Sequence, residues 1–274
     1  MPHTETGGKD VSVITALLLL SLIILPFGLT LLVEQNLHDY EQSLRSRLKF
    51  EIYLREQSTP DQVQLLIEQV KEMEGFANFN YRDRSEVFKD MQLALGATLL
   101  PDDAPNPFPS VVEVAFVPQY STLAHFEKVN LSTKKFPFIE DVNYGVDWLE
   151  AHEKTFASAT KILTAVRIIT TGCALILMFW FMKRVILGRS EYYTILRRLG
   201  AGWRVMALPF IIRKTALGVA GAALSLLALY GCFALATGWS IEISFVTSTN
   251  MLAVLGFGGL VALLSATLAV GPEL

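Results

Sequence analysis

The chain has 274 residues and a charged fraction of 18%, below the roughly 25% of a typical soluble protein. The deficit is uneven: residues 34–161 carry 13 Lys/Arg and 21 Asp/Glu, a net charge of −8, whereas the other 146 residues carry 10 and 5, a net of +5. This partition excludes a single soluble globule, and it equally excludes an all-membrane bundle, because a polar block of 128 residues can enclose a core of its own.

After a short tail at 1–10, residues 11–33 contain no charge and at 1.5 Å per residue reach about 34 Å, enough to cross a ~30 Å hydrocarbon layer. The bulky run Leu29-Thr30-Leu31-Leu32-Val33 argues for a retained helix over a cleaved signal peptide, which ends at small residues. Pro26 is tolerable there, since neighbouring membrane helices can accommodate a kink.

Within 34–161, Leu48 to Leu54 alternates large apolar with charged residues, the period of a half-buried strand. Ser58-Thr59-Pro60-Asp61 opens a helix in which Val63, Leu66, Ile67, Val70 and Met73 recur at helical spacing, until Gly75 stops it. Phe76 to Tyr81 alternates again, and Asp83 with Glu86 resembles a capping box for a helix through Leu95 and Gly96. Pro101 to Pro109 holds four prolines and is a loop. Val111 to Val117 reads as a strand, Tyr120 to Val129 as a helix and Phe138 to Val142 as a fourth strand. The order β-α-β-(α)-β-α-β predicts a ferredoxin-like α+β sandwich with a helical insertion around 83–110. From Val146 a helical pattern runs on without a breaker.

Residues 162–182 form a second span, with Arg167 one turn inside and able to snorkel toward the headgroups. The basic segment 183–214 follows with eight Lys/Arg against Glu191, then spans at 215–236 and 250–270 joined by a short loop at 237–249, and the end at 271–274. The expected whole is an α+β membrane protein of four transmembrane helices, with the large extracytoplasmic domain between helices 1 and 2. Short basic loops stay in the cytoplasm, which puts both termini there and the acidic domain outside. Cys173 and Cys232 fall inside spans, so no disulfide framework can be read in the external domain.

Motifs for chemistry are missing from the sequence. Gly7-Gly8-Lys9 is the nearest approach to a phosphate-binding loop and follows no strand, the four histidines are scattered without metal-ligand spacing, and no G-x-S-x-G occurs. No catalytic residue, cofactor, metal or nucleic-acid partner is expected, and any work done needs an outside energy source. The paired carboxylates Asp102-Asp103 and Glu140-Asp141 read as surface decoration. Gly218, Gly221, Ala222, Gly256, Gly258 and Gly259 allow close helix packing, within the chain or across a dimer. Residues 188–204 place Tyr192, Ile195, Leu196 and Leu199 on one helical face and Arg197, Arg198 and Arg204 on the polar side. That helix suits either an anionic lipid surface or a cytoplasmic partner's groove.

The layout resembles FtsX, the membrane subunit of the FtsE-FtsX cell-division complex of the ABC superfamily. The likeness is carried by Phe50 to Leu54, by Asn106-Pro107-Phe108-Pro109 before Val111 to Val117, and by Glu191 to Ala201 leading to Pro209-Phe210. Gly202 after Gly-Ala, Arg213-Lys214 and the short N-terminal tail depart from the family pattern. The resemblance implies a non-transporting, permease-like homodimer in the bacterial inner membrane that relays ATP hydrolysis by FtsE to a periplasmic peptidoglycan hydrolase or its activator at the septum. It puts Arg189, Glu191, Ile195, Arg197, Leu199, Gly200 and Ala201 against the ATPase. Phe88, Met91, Leu95 and Leu99, at helical spacing in the insertion, are the candidates for the periplasmic partner, with inward packing as the alternative. A lipoprotein- or peptide-exporting permease and an uncoupled membrane scaffold or sensor are the competing functions.

Overall fold

The computed structural model describes residues 13–95, 105–188, 190–200, 202–238 and 243–270; the tails at 1–10 and 271–274 and the Asp102-Asp103 pair lie outside them. The chain forms two compact units, Met1–Leu37 with Ala159–Leu274, and His38–Ser158. Helices α1 (Val13–Ser46) and α5 (Val146–Leu187) contribute residues to both.

The unit His38–Ser158 is built on β1 (Lys49–Leu54), α2 (Pro60–Lys71), β2 (Phe76–Arg82), α3 (Arg84–Leu95), β3 (Val111–Phe116), α4 (Leu123–Thr133) and β4 (Ile139–Asn143). The strands pair antiparallel in the order β2-β3-β1-β4, with Phe50 opposite Val114 and Ile52 opposite Val112. That order, with α2 and α4 as the two crossovers and α3 between β2 and β3, is the ferredoxin-like sandwich with a helical insertion. Period-2 alternation explains the core. Phe50, Ile52 and Leu54 of β1 are fully buried against Leu66 and Val70 of α2 and Phe126 and Val129 of α4. The Phe50 ring stacks on Tyr144 at 5.3 Å and meets Phe126 edge-on at 5.6 Å. Each such side chain contributes roughly 1.5–3 kcal/mol on burial, so this face supplies the domain's stability.

Turn chemistry sets the helix limits. Gln62 Oε1 accepts from the Thr59 backbone N–H at 3.0 Å to start α2, and Gly75 turns the chain at φ +75 with Tyr120 packed over it, where a Cβ would come within 2.5 Å of the Tyr120 side chain. Helix α4 starts at Leu123, later than the Tyr120 read from the sequence, because the Tyr120 N–H donates to Val117 O in a turn and Thr122 Oγ1 accepts from His125 N–H as the cap. The carboxylate of Glu153, on α5, accepts from the Leu123 N–H at 3.0 Å, a second partner for the same helix start. The opposite sheet face is partly covered. Glu113, only 5% exposed, accepts from Lys49 Nζ at 2.6 Å and pairs with Arg82, which in turn meets Asp90 of α3 at 3.0 Å. A buried carboxylate is tolerable only with such partners.

The other unit also holds α6 (Ser190–Arg198), α7 (Trp203–Thr237) and α8 (Ser248–Val270). Four helices, Val13–Ser46, Val146–Leu187, Arg204–Thr237 and Ser248–Val270, are long and apolar enough to cross a membrane. Their outward side chains include Leu22, Ile168, Trp180, Leu227 and Leu252, all exposed, a surface that water would not tolerate and lipid would cover. This is a multi-pass membrane protein. Helices α7 and α8 approach closely at Gly218 and Gly258, where a Cβ on Gly218 would sit 2.3 Å from Ala262 Cβ and 2.6 Å from the Gly258 oxygen. Phe27 of α1 stacks on Phe257 of α8 at 3.8 Å. Arg167, near the end of the second span, pairs with Glu34 of α1. The next two residues hold the segment leading into α8. Gln35 Nε2 donates to Phe245 O at 3.0 Å and its Oε1 accepts from Thr247 N–H at 2.9 Å, while Asn36 exchanges two bonds with the Ser244 backbone at 2.9 and 2.7 Å.

Candidate functional site

Two regions carry the candidate residues. The first is α6, nine residues bracketed by the longer helices. Glu191 lies in its first turn and Arg197 and Arg198 in its last, so its charges complement the helix dipole. The helix ends where the Gly200 N–H donates to Arg197 O at 3.1 Å and Gly200 takes φ +79, a left-handed stop that favours glycine. Tyr192, Ile195 and Leu199, at i, i+3 and i+7, lie 60%, 58% and 77% exposed. Among the described residues this leaves Ile195 and Leu199 as an exposed apolar stripe beside two arginines. Leu196, grouped with that stripe in the sequence, turns with Tyr193 toward a groove shared with Met206, Pro209 and Phe210 of α7, and both are half-buried. Of the candidates for ATPase contact, Glu191, Ile195, Arg197, Leu199 and Gly200 therefore sit on or at the end of α6, while Arg189 and Ala201 lie outside the described residues.

The second region is the insertion. Arg84, absent from the sequence-derived candidates, fastens it: its Nε donates to Phe108 O at 3.1 Å, its Nη2 to Asn106 O at 2.9 Å, and it pairs with Glu56. Asn106 Nδ2 returns a bond to Arg84 O at 2.8 Å, and its Oδ1 accepts from the Phe108 N–H at 2.9 Å. Asp83 accepts from the Ser85 hydroxyl at 3.0 Å and the Ser110 hydroxyl at 3.3 Å, where the sequence suggested reciprocity with Glu86, which is exposed. The Ser85 hydroxyl and the Arg84 backbone N–H hold the Asp83 carboxyl below its ordinary range. Phe88 is half-buried with its ring 6.4 Å from Phe108, Val87 is buried, and Met91 is 40% exposed. Leu95 ends α3, and Leu99 lies outside the described residues. Leu93, 84% exposed, is the most prominent apolar side chain of α3, and its lone place off the Phe88 spacing concealed it in the sequence. Among the described residues no group of three or more His, Cys, Asp or Glu could hold a metal ion.

Known proteins match these regions. Residues 47–156 match the model of the FtsX extracellular domain. Cell division protein FtsX of Haemophilus influenzae is 23% identical over 207 residues, which cover 70% of this chain and 64% of that relative, so the chain spans less than two thirds of the relative's length. The crystal structure of extracellular domain 1 of FtsX from S. pneumonie, in complex with undecyl-maltoside, is 14% identical and covers 35% of this chain and 92% of that one. The TM-score between the two is 0.29. The matched residues coincide with the sandwich and its insertion, and in the sequence helices long and apolar enough to cross a membrane lie on either side of them, so the chain is similar to FtsX over its sandwich domain.

Proposed function

We propose that the chain is a non-transporting, permease-like subunit of cell division that relays ATP hydrolysis by the ATPase FtsE across the bacterial inner membrane to a periplasmic peptidoglycan hydrolase or its activator. It works as a homodimer at the septum with both termini in the cytoplasm, the orientation that eight basic residues in 183–214 favour. The observation that carries the reading is the exposed stripe of α6. Ile195 and Leu199 are exposed beside Arg197 and Arg198, the pattern of a helix laid into a partner's apolar groove. Force entering at α6 meets α5, a single 42-residue helix whose first turns belong to the sandwich unit and whose last turns belong to the membrane unit. At the far end, Met91 and Leu93 on the fastened insertion supply the contact for the periplasmic partner. The non-transporting reading is supported by the second span, where Arg167 is the one charge in 162–182 and is paired with Glu34.

Retention of purified FtsE by the full chain tests this. Leu199→Glu puts a charge in the buried centre of the contact and weakens retention at least tenfold, the effect of losing roughly 1.5–3 kcal/mol of leucine burial. Unchanged retention by Leu199→Glu would refute the docking role of α6.

A further inference from the structure

The inner side of α6 faces a different kind of site. Between the end of α5, α6 and the first turns of α7 lies a groove of about 670 Å³, and its lining changes character along its length. Leu196, Phe210 and Leu217 make it apolar, whereas Arg213 and Lys214 bring two cations to its edge. The Lys214 ammonium lies 5.7 Å from the centre of the Phe210 ring, which joins the charged and apolar parts of the lining. Glu191 also lines the groove and repels an anion on its own side, leaving the Arg213–Lys214 side as the anion-facing edge.

The position of the groove in the sequence decides what fits it. Leu217 belongs to the charge-free run 215–241, at the depth of acyl chains, while the arginine and lysine immediately before it belong to the basic segment, at the depth of head groups. A soluble anion matches only the charged edge, and a partner helix has no reason to extend to Leu217. A molecule whose anionic head is joined directly to apolar chains matches both ends. We propose that the groove binds an anionic phospholipid, with its phosphate on Arg213 and Lys214 and its acyl chains running past Leu217 into the charge-free part of α7. Basic pockets between membrane helices take such head groups by the same charge pairing. The site uses the Leu196 side of α6, with Tyr192 also in its lining, and stands apart from any ATPase contact made through Ile195 and Leu199, which do not line it. A lipid seated there lies directly beneath the helix and sets its height at the membrane surface.

Native mass spectrometry of the full chain, exchanged with micelles containing equal phosphatidylglycerol and phosphatidylcholine, tests the proposal. One phosphatidylglycerol per chain is expected to persist in preference to phosphatidylcholine. The double substitution Arg213→Ala with Lys214→Ala should weaken that binding at least about tenfold, since each cation near the surface contributes a several-fold factor. Arg197→Ala with Arg198→Ala, an equal loss of charge outside the groove, should leave it intact. Leu217→Trp narrows the groove with both cations retained and should also reduce binding, which separates the site from any misfolding of the charge variant. Equal adducts of the two lipids on the unaltered chain, or equal losses from the two double variants, would overturn the proposal. So would release of the lipid on saturation with FtsE, which would give the groove to the ATPase.

Discussion

Single residues in the sandwich unit set how it responds to pH. His125 lies among the rings of Phe116 and Tyr120, at 5.0 and 5.3 Å, and its Nε2 is buried with no hydrogen-bond partner among the described residues. Burial, helped by the positive charge of Lys128 and opposed by Glu74, holds its pKa below the ordinary 6.5. Between the folded and unfolded pKa values the unfolded chain binds more protons, so the stability contributed by neutral His125 is complete above about 6.5 and is lost as pH falls through the lower folded value. Thermal melts of the full chain in detergent should therefore move down between pH 7.5 and 5.5, and His125→Phe should remove part of that shift. An unchanged pH dependence in His125→Phe would assign the effect to other groups.

At the scale of elements, the insertion depends on Arg84 more than on its helix. Removing the guanidinium leaves two backbone carbonyls, at Asn106 and Phe108, without donors and breaks the pair with Glu56. Arg84→Ala should open the 105–110 turn to limited proteolysis several-fold faster than in the parent chain, at a cost of about 1–3 kcal/mol locally. The sequence showed the elements well where one face of each was buried. Leu48 to Leu54 alternates because only one side of β1 meets the helices, and Pro60 with Gly75 brackets α2 by backbone geometry alone. It was opaque where distant segments decide. Nothing local marks Glu113 as buried, because its cover and its partners come from β1, β2 and α3. Arg84 and Asn106 are 22 positions apart, so their reciprocal bonds have no periodic signature. On α6 the stripe was legible at Ile195 and Leu199, whose spacing is helical, but the inward turn of Leu196 depends on α7.

For the molecule as a whole, the membrane unit depends on contacts that admit no side chain. A Cβ on Gly258 would meet Ala222 Cβ at 2.6 Å and the Gly218 oxygen at 2.8 Å, whereas nothing lies within 4 Å of a Cβ on Gly256. Gly258→Leu should force α7 and α8 apart and reduce the monodisperse yield in detergent, while Gly256→Leu, two positions away, should leave it near the parent level. Equal yields from both would show that the α7–α8 approach is not what holds the unit together. The triplet Glu34-Gln35-Asn36 has a different consequence. Successive helical residues point about 100° apart around the axis, so the grip on α5 and the two grips on the segment before α8 hold α1 from several azimuths at once. A rod held in this way cannot spin. Rotation about its long axis would first have to break an ion pair and five hydrogen bonds of the two side-chain amides, whereas tilt or a small axial slide need not, so α1 is keyed against torque and yields first by leaning or sliding.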